Sequence, residues 1–224
     1  MNKYIEVDKI TNNNKDIEYN DFFMFACLNN EKYIFYQLLN SKNTKVDLTK
    51  TDKHGNTALM LTCLNGDKEM IQTLLKVKLN NVKVGINIKN KHGDNALILA
   101  VKSSNYEAVK LIIEHINQYD TLINCIDEAN NRGNNPLIFA VIKRNYEIIK
   151  LLLKYKASVN IKNNYGYNPI MIASIKEDEN LFKLLIKHGA DISLDSDFYQ
   201  FLLSIIKNDK KKIASFIFNI LDNI

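Results

Sequence analysis

Along most of the chain the apolar residues alternate between two patterns. A short, nearly continuous run such as "ALMLTCL" (Ala58–Leu64) is followed, after a polar break, by a run with helical spacing such as "KEMIQTLLK" (Lys68–Lys76). The first predicts a short apolar helix. The second, with apolar residues three and four apart, predicts an amphipathic helix with one wet face. The couple returns as "ALILAV" with "YEAVKLII", as "PLIFAVI" with "YEIIKLLLK", and as "PIMIASI" with "ENLFKLLI". A polar turn with a glycine precedes each couple, and Gly55, Gly93, Gly133 and Gly166 stand 38, 40 and 33 residues apart.

Each unit reads the same way physically. Glycine supplies a residue free to take positive φ in the turn. Thr57, Asn95, Asn135 and Asn168 follow as helix N-caps. Pro136 and Pro169 suit a first helical position, where a missing N–H costs nothing. Thr62, Ala100, Ala140 and Ala173 put a small residue mid-helix, so that a neighbouring backbone can come close. Polar breaks at Asn65-Gly66-Asp67, Ser104-Asn105-Tyr106, Arg144-Asn145-Tyr146 and Glu177-Asp178-Glu179 separate the two helices. Neither helix buries its apolar face alone, whereas stacked pairs share one continuous core.

Four units agreeing in order and register resemble the ankyrin repeat, most closely in "NNPLIFAVIKRNYEIIKLLLKYKASVNIKN" (Asn134–Asn163) and in the inter-repeat stretch "KHGADIS" (187–193). The resemblance covers residues 50–194. It implies an all-α solenoid of stacked antiparallel helix pairs with short β-turn or hairpin tips. The expected units are 51–89, 90–129, 130–162 and 163–195, flanked by a degenerate repeat at 19–50 and a C-terminal cap at 196–224. Both flanking units lack the glycine turn but carry a small residue at the matching place, Ala26 and Ser204. Residues 1–18 are expected to form a flexible or loosely packed tail. One departure stands out: the family's signature histidine is replaced by Met60, Ile98, Ile138 and Met171. The hydrogen bonds it makes between turns would then be missing and the stack weaker.

Composition narrows the function classes. The chain has 224 residues, 46% hydrophobic and 25% charged, a globular mixture. The net charge of +5 permits an acidic partner without demanding one. The opening "MNKYIEVDKITNNNKDIEYN" has charges where a signal peptide needs an apolar core. No apolar run reaches the roughly 18 residues of a membrane span. Three cysteines without a recognised spacing read as reduced thiols, and the expected setting is cytoplasmic. Cys27 and Cys63 fall in one core column, and Cys125 falls in the long loop before Gly133, where more exposure is expected.

Candidate chemistry is thin. His54 and His92 occupy the same turn position in adjacent repeats, and stacked helices sit about 8–10 Å apart. Zinc holds its nitrogen ligands at about 2.0–2.1 Å, so two equivalent positions are too far apart to share one ion without further ligands, and none recurs. His115 and His188 fall near second-helix ends, where donors suit the helix dipole. No phosphate loop, zinc-protease motif or nucleophile–histidine motif occurs. No catalysis and no cofactor is expected. The acids Glu177, Asp178 and Glu179 read as solvated charge in a helix break, and Lys207–Lys212 as a solvated turn.

What remains is surface. In the family, turn tips and first-helix ends line a concave groove that binds proteins. Aligned onto this chain, the candidates are Lys53, His54 and Asn56, then Lys91, His92, Asp94 and Lys102. Arg132, Asn134, Ile142 and Lys143 follow, then Tyr165, Tyr167 and Lys176. Aromatics and arginine tend to dominate binding energy, which singles out Arg132, Tyr165 and Tyr167. Ile142 and Ile175 would floor the groove between basic side chains. The expected partner is a protein with an acidic or acidic-aromatic surface, bound by a monomer. The rival readings are a basic adaptor for nucleic acid or anionic membrane, and an inhibitor or regulator of a partner enzyme, including one delivered into a host cell.

Overall fold

A computed structural model describes residues 15–41, 46–77, 85–118, 125–193, 196–208 and 210–221, with side chains from Tyr19 onward. Among these residues twelve α-helices run in six consecutive pairs: α1 (Lys15–Asn29) with α2 (Lys32–Asn40), α3 (Ala58–Asn65) with α4 (Lys68–Lys76), α5 (Ala96–Lys102) with α6 (Tyr106–Asn117), α7 (Pro136–Lys143) with α8 (Tyr146–Lys154), α9 (Pro169–Ile175) with α10 (Glu179–Lys187), and α11 (Asp197–Lys207) with α12 (Lys211–Leu221). Helix α1 begins four residues before the expected unit at 19. The rest of the expected tail, residues 1–14, lies outside the described residues.

The pairs stack by layers. Each odd-numbered helix packs on the next odd-numbered one, α1 on α3 through to α9 on α11, while α4 packs on α6 and α6 on α8. One apolar core runs through the stack from Phe23 to Ile220. The small residues do what their size predicts: Ala26, Thr62, Ala100, Ala140 and Ala173 are fully buried beneath neighbouring helices. Ser204, in the sixth pair, is exposed. Aromatic rings close that end, with Phe182 edge-on to Phe198 and Phe216 at centroid distances of 5.8 and 6.3 Å.

Capping sets where the helices start. Thr57, Asn95, Asn135 and Asn168 have extended backbones, and their side-chain oxygens accept from the N–H groups of Met60, Ile98, Ile138 and Met171. Pro136 and Pro169 occupy the first turns of α7 and α9. The second helices are capped by Asp67, Asn105, Asn145 and Asp178. Asp178 is thus no solvated acid. It caps α10, accepts a hydrogen bond from the Tyr146 hydroxyl, and pairs with Arg144 at 3.3 Å.

The tips are turns without hairpins. No β-strand forms among the described residues, and the nearest feature is an isolated antiparallel bridge between Thr51 and Thr57. The first tip closes in five residues, with Gly55 N–H donating to the Asp52 carbonyl and Asp52 N–H to the Asn56 carbonyl. The residue after Asn56 already caps a helix, so the chain diverges before a ladder can extend.

Candidate partner-binding face

The tips are built by one recurring side chain. Asp52 Oδ1 accepts from the N–H groups of His54 and Asn56, each at 2.8 Å. Asn90 does the same for His92 and Asp94, Asn130 for Arg132 and Asn134, and Asn163 for Tyr165 and Tyr167. Such Asx turns fold the backbone back on a side-chain acceptor. The glycine three positions later completes each turn at positive φ.

Successive tips then dock on one another. Lys91 N–H donates to the His54 carbonyl at 3.0 Å, Asn131 N–H to His92 at 3.1 Å and Asn164 N–H to Arg132 at 3.0 Å. A second ladder runs beneath: the Nδ2 atoms of Asn90, Asn130 and Asn163 donate to Asn56, Asp94 and Asn134, each at 2.9 Å. These bonds join the tips without a histidine at the signature position. The close approach explains why glycine recurs: a Cβ on Gly93 would stand 2.5 Å from Asn131 N, and one on Gly133 2.6 Å from Asn164 N.

Three expected contacts therefore fall inside the stack. Asn56, Asp94 and Asn134 are buried and hold the next tip. Asp94 also receives Lys102 Nζ at 2.7 Å, and that ammonium lies 5.3 Å from the centre of the Phe139 ring. Lys102 is accordingly half-buried and neutralised. Polar residues in a turn look like surface in a sequence. Here the neighbouring tip supplies the partner that solvent would otherwise supply.

The remaining candidates face outward. Lys53, His54, Lys91, His92, Arg132 and Lys143 are exposed, and Lys176 partly so. Tyr165 is 67% exposed, while Tyr167 sits edge-on to Phe201 of α11 at 6.2 Å. Ile142 and Ile175 are exposed, and they belong to a longer row. Two residues past the small position stand Leu28, Leu64, Lys102, Ile142, Ile175 and Ile206, one per odd-numbered helix, and all but Lys102 are exposed apolar side chains. Sequence alignment missed Leu28 and Ile206 because the outer pairs lack the glycine that set the register. Ala26 and Ser204 were the signal that could have placed them.

Charge is one-sided on this face. From Thr51 to Lys176, the tips and odd-numbered helices hold two carboxylates, Asp52 and Asp94. Asp52 is taken up by its own turn and Asp94 by Lys102 and Asn130. Lys53, Lys91, Arg132, Lys143 and Lys176 have no ion pair among the described residues.

Elsewhere the structure holds little chemistry. Cys27 and Cys63 are buried thiols whose ionisation burial pushes far up. Cys125 is buried too, against expectation, and its Sγ donates to Asn87 Oδ1 at 2.9 Å. Burial also lowers the pKa of His115. No group of three His, Cys, Asp or Glu side chains among the described residues could hold a metal ion, and no described helix is long and apolar enough to cross a membrane. The described part of the Lys207–Lys212 run is exposed, and Lys212 pairs with Glu177 at 3.0 Å. No curated protein matches the chain. A family model described as Ankyrin repeats (3 copies) matches residues 23–124 and 116–196.

Proposed function

The chain belongs to the ankyrin-repeat family, and from that premise we propose that it is a non-catalytic recognition protein. Its tips and odd-numbered helices form a concave groove that binds a protein partner with an acidic or acidic-aromatic surface. The observation that carries this reading is the combination on one face of an exposed apolar row with cations that have no ion pair among the described residues. A stack held by caps and tip-to-tip bonds presents those side chains in a fixed array, so little conformational entropy is lost on binding. Arg132 and Tyr165 are the strongest anchors by residue type and exposure. Tyr167 contributes an edge already steadied by Phe201. Cys27, Cys63 and Cys125 are buried and lie in no disulfide among the described residues, which suits the cytoplasmic setting of this proposal.

A basic adaptor for nucleic acid is the second reading, favoured by Lys53, Lys91 and Arg132 in successive tips. Phosphate-driven binding falls steeply with salt, whereas a groove with apolar contacts loses far less. The test is capture from native lysate with wild type and an Arg132→Ala/Tyr165→Ala/Tyr167→Ala variant that retains its helical circular dichroism. The variant is expected to lose captured proteins that survive raised salt on the wild type. Retention of every one of them overturns the assignment of this face.

A further inference from the structure

The row along the odd-numbered helices is interrupted once, and the interruption has a partner of its own. Repeat by repeat, the tip residue eight positions before the row is Asn56 before Leu64, Asp94 before Lys102, Asn134 before Ile142 and Tyr167 before Ile175. Where the row turns cationic, the buried tip residue turns anionic, and the two meet at 2.7 Å. This lock separates Leu28 and Leu64 from a second stretch, Ile142, Ile175 and Ile206, which are 40%, 44% and 48% exposed.

Cations flank that second stretch. Arg132, Lys143, Lys176 and Lys207 have no ion pair among the described residues. The acids bordering it are already engaged, Asp178 with Arg144, Glu177 with Lys212, and Asp197 with Lys162 at 2.8 Å. Stacked helices are about 8–10 Å apart. A polyproline-II chain rises about 3.1 Å per residue with three residues per turn, so every third side chain points the same way about 9 Å from the last. That repeat falls within the stacking step that separates equivalent positions of neighbouring repeats. An α-helix lying along the row would need apolar residues about seven apart, with their neighbours wrapping away from the flanking cations.

Building on the recognition role inferred for this face, we propose that its occupant is an extended acidic segment of a protein partner, with an apolar residue at every third position. The apolar residues seat on Ile142, Ile175 and Ile206, carboxylates between them meet Arg132, Lys143 and Lys176, and the Asp94–Lys102 pair marks where the apolar register ends. Preformed extended chains also lose little entropy when they dock.

The probe is a fluorescent nonapeptide of three Leu-Pro-Glu triplets, titrated into the full chain by fluorescence anisotropy. It is expected to bind about tenfold or more tighter than the Ser-Pro-Glu and Leu-Pro-Lys analogues, since each leucine buries apolar surface and each glutamate meets a cation. Ile142→Ser/Ile175→Ser, both surface changes checked by thermal melting, should erase the difference between Leu-Pro-Glu and Ser-Pro-Glu. Asp94→Asn/Lys102→Ile gives this repeat the Asn and Ile that stand at 134 and 142. It should tighten a five-triplet peptide several-fold while leaving the nonapeptide unchanged. Equal binding of the Leu and Ser peptides, preference for an oligothymidine of equal length, or indifference to the isoleucine variant overturns the proposal. If the nonapeptide fails while lysate partners still depend on Arg132, Tyr165 and Tyr167, the occupant is wrong and the recognition face stands.

Discussion

The two helix layers use charge in opposite ways. In the layer of second helices, acids and bases answer one another across repeats: Lys32 reaches Asp67 and Glu69 at 2.9 Å, and Lys68 reaches Glu107 at 3.3 Å. Helices α4, α6, α8 and α10 each carry a glutamate in the first turn, which also suits the helix dipole. In the layer of tips and first helices, the carboxylates are withdrawn into the turns and the cations are left outside. The second-helix layer mixes both signs, although Lys76, Lys110, Lys150, Lys154 and Lys187 have no ion pair among the described residues, while the tip layer leaves its cations without a free carboxylate beside them. The difference supports the proposal that recognition lies on the tip side.

Several substitutions break or sharpen that contrast. The largest effect is expected at Asp94. Asp94→Ala leaves Lys102 and Asn130 without their acceptor and should cost about 1–3 kcal/mol in urea denaturation. Asp94→Asn, which copies Asn56 and Asn134, should recover much of the loss. Next comes Asn135, whose Oδ1 caps α7 but whose buried Nδ2 has no hydrogen-bond partner among the described residues. Asn135→Thr copies Thr57, keeps the acceptor and removes the unpaired donor, and should raise stability by up to about 1 kcal/mol. A smaller change is expected across the second-helix layer. Glu69→Ala should cost under about 1 kcal/mol, and less as salt rises, because the Lys32 pair is exposed.

The smallest concerns pH. Burial holds the His115 imidazole below its ordinary value of 6.5, so the folded chain favours the neutral ring. The stability this brings is present above about pH 6.5 and is lost as pH falls through the folded-state value. His115→Gln should flatten the thermal-melting profile over that range.

Much of the fold is legible in the residues. Gly55, Gly93, Gly133 and Gly166 fix the register because all four turns need positive φ, and at the first three the next tip also comes close. Thr57, Asn95, Asn135 and Asn168 announce helix starts because only a short acceptor side chain satisfies the orphan N–H groups there. The face is less legible. Asn56, Asp94 and Asn134 read as solvent contacts because a sequence does not say whether a polar turn residue points at water or at the next tip. The signal was nevertheless present: Asp52, Asn90, Asn130 and Asn163 recur three places before each glycine, too regularly for chance surface. Cys125 misled for the converse reason, since its place in a long loop suggested exposure where the fold buries it beside Asn87.

The claim that the tip side is the recognition face is tested most directly by site-specific photocrosslinking in native lysate. A photoreactive residue replaces either Tyr165, at the exposed tip, or Lys150, on the exposed face of α8. Crosslinked partner proteins are expected from position 165 and absent from position 150. Adducts formed at 150 and missing at 165 would contradict the account.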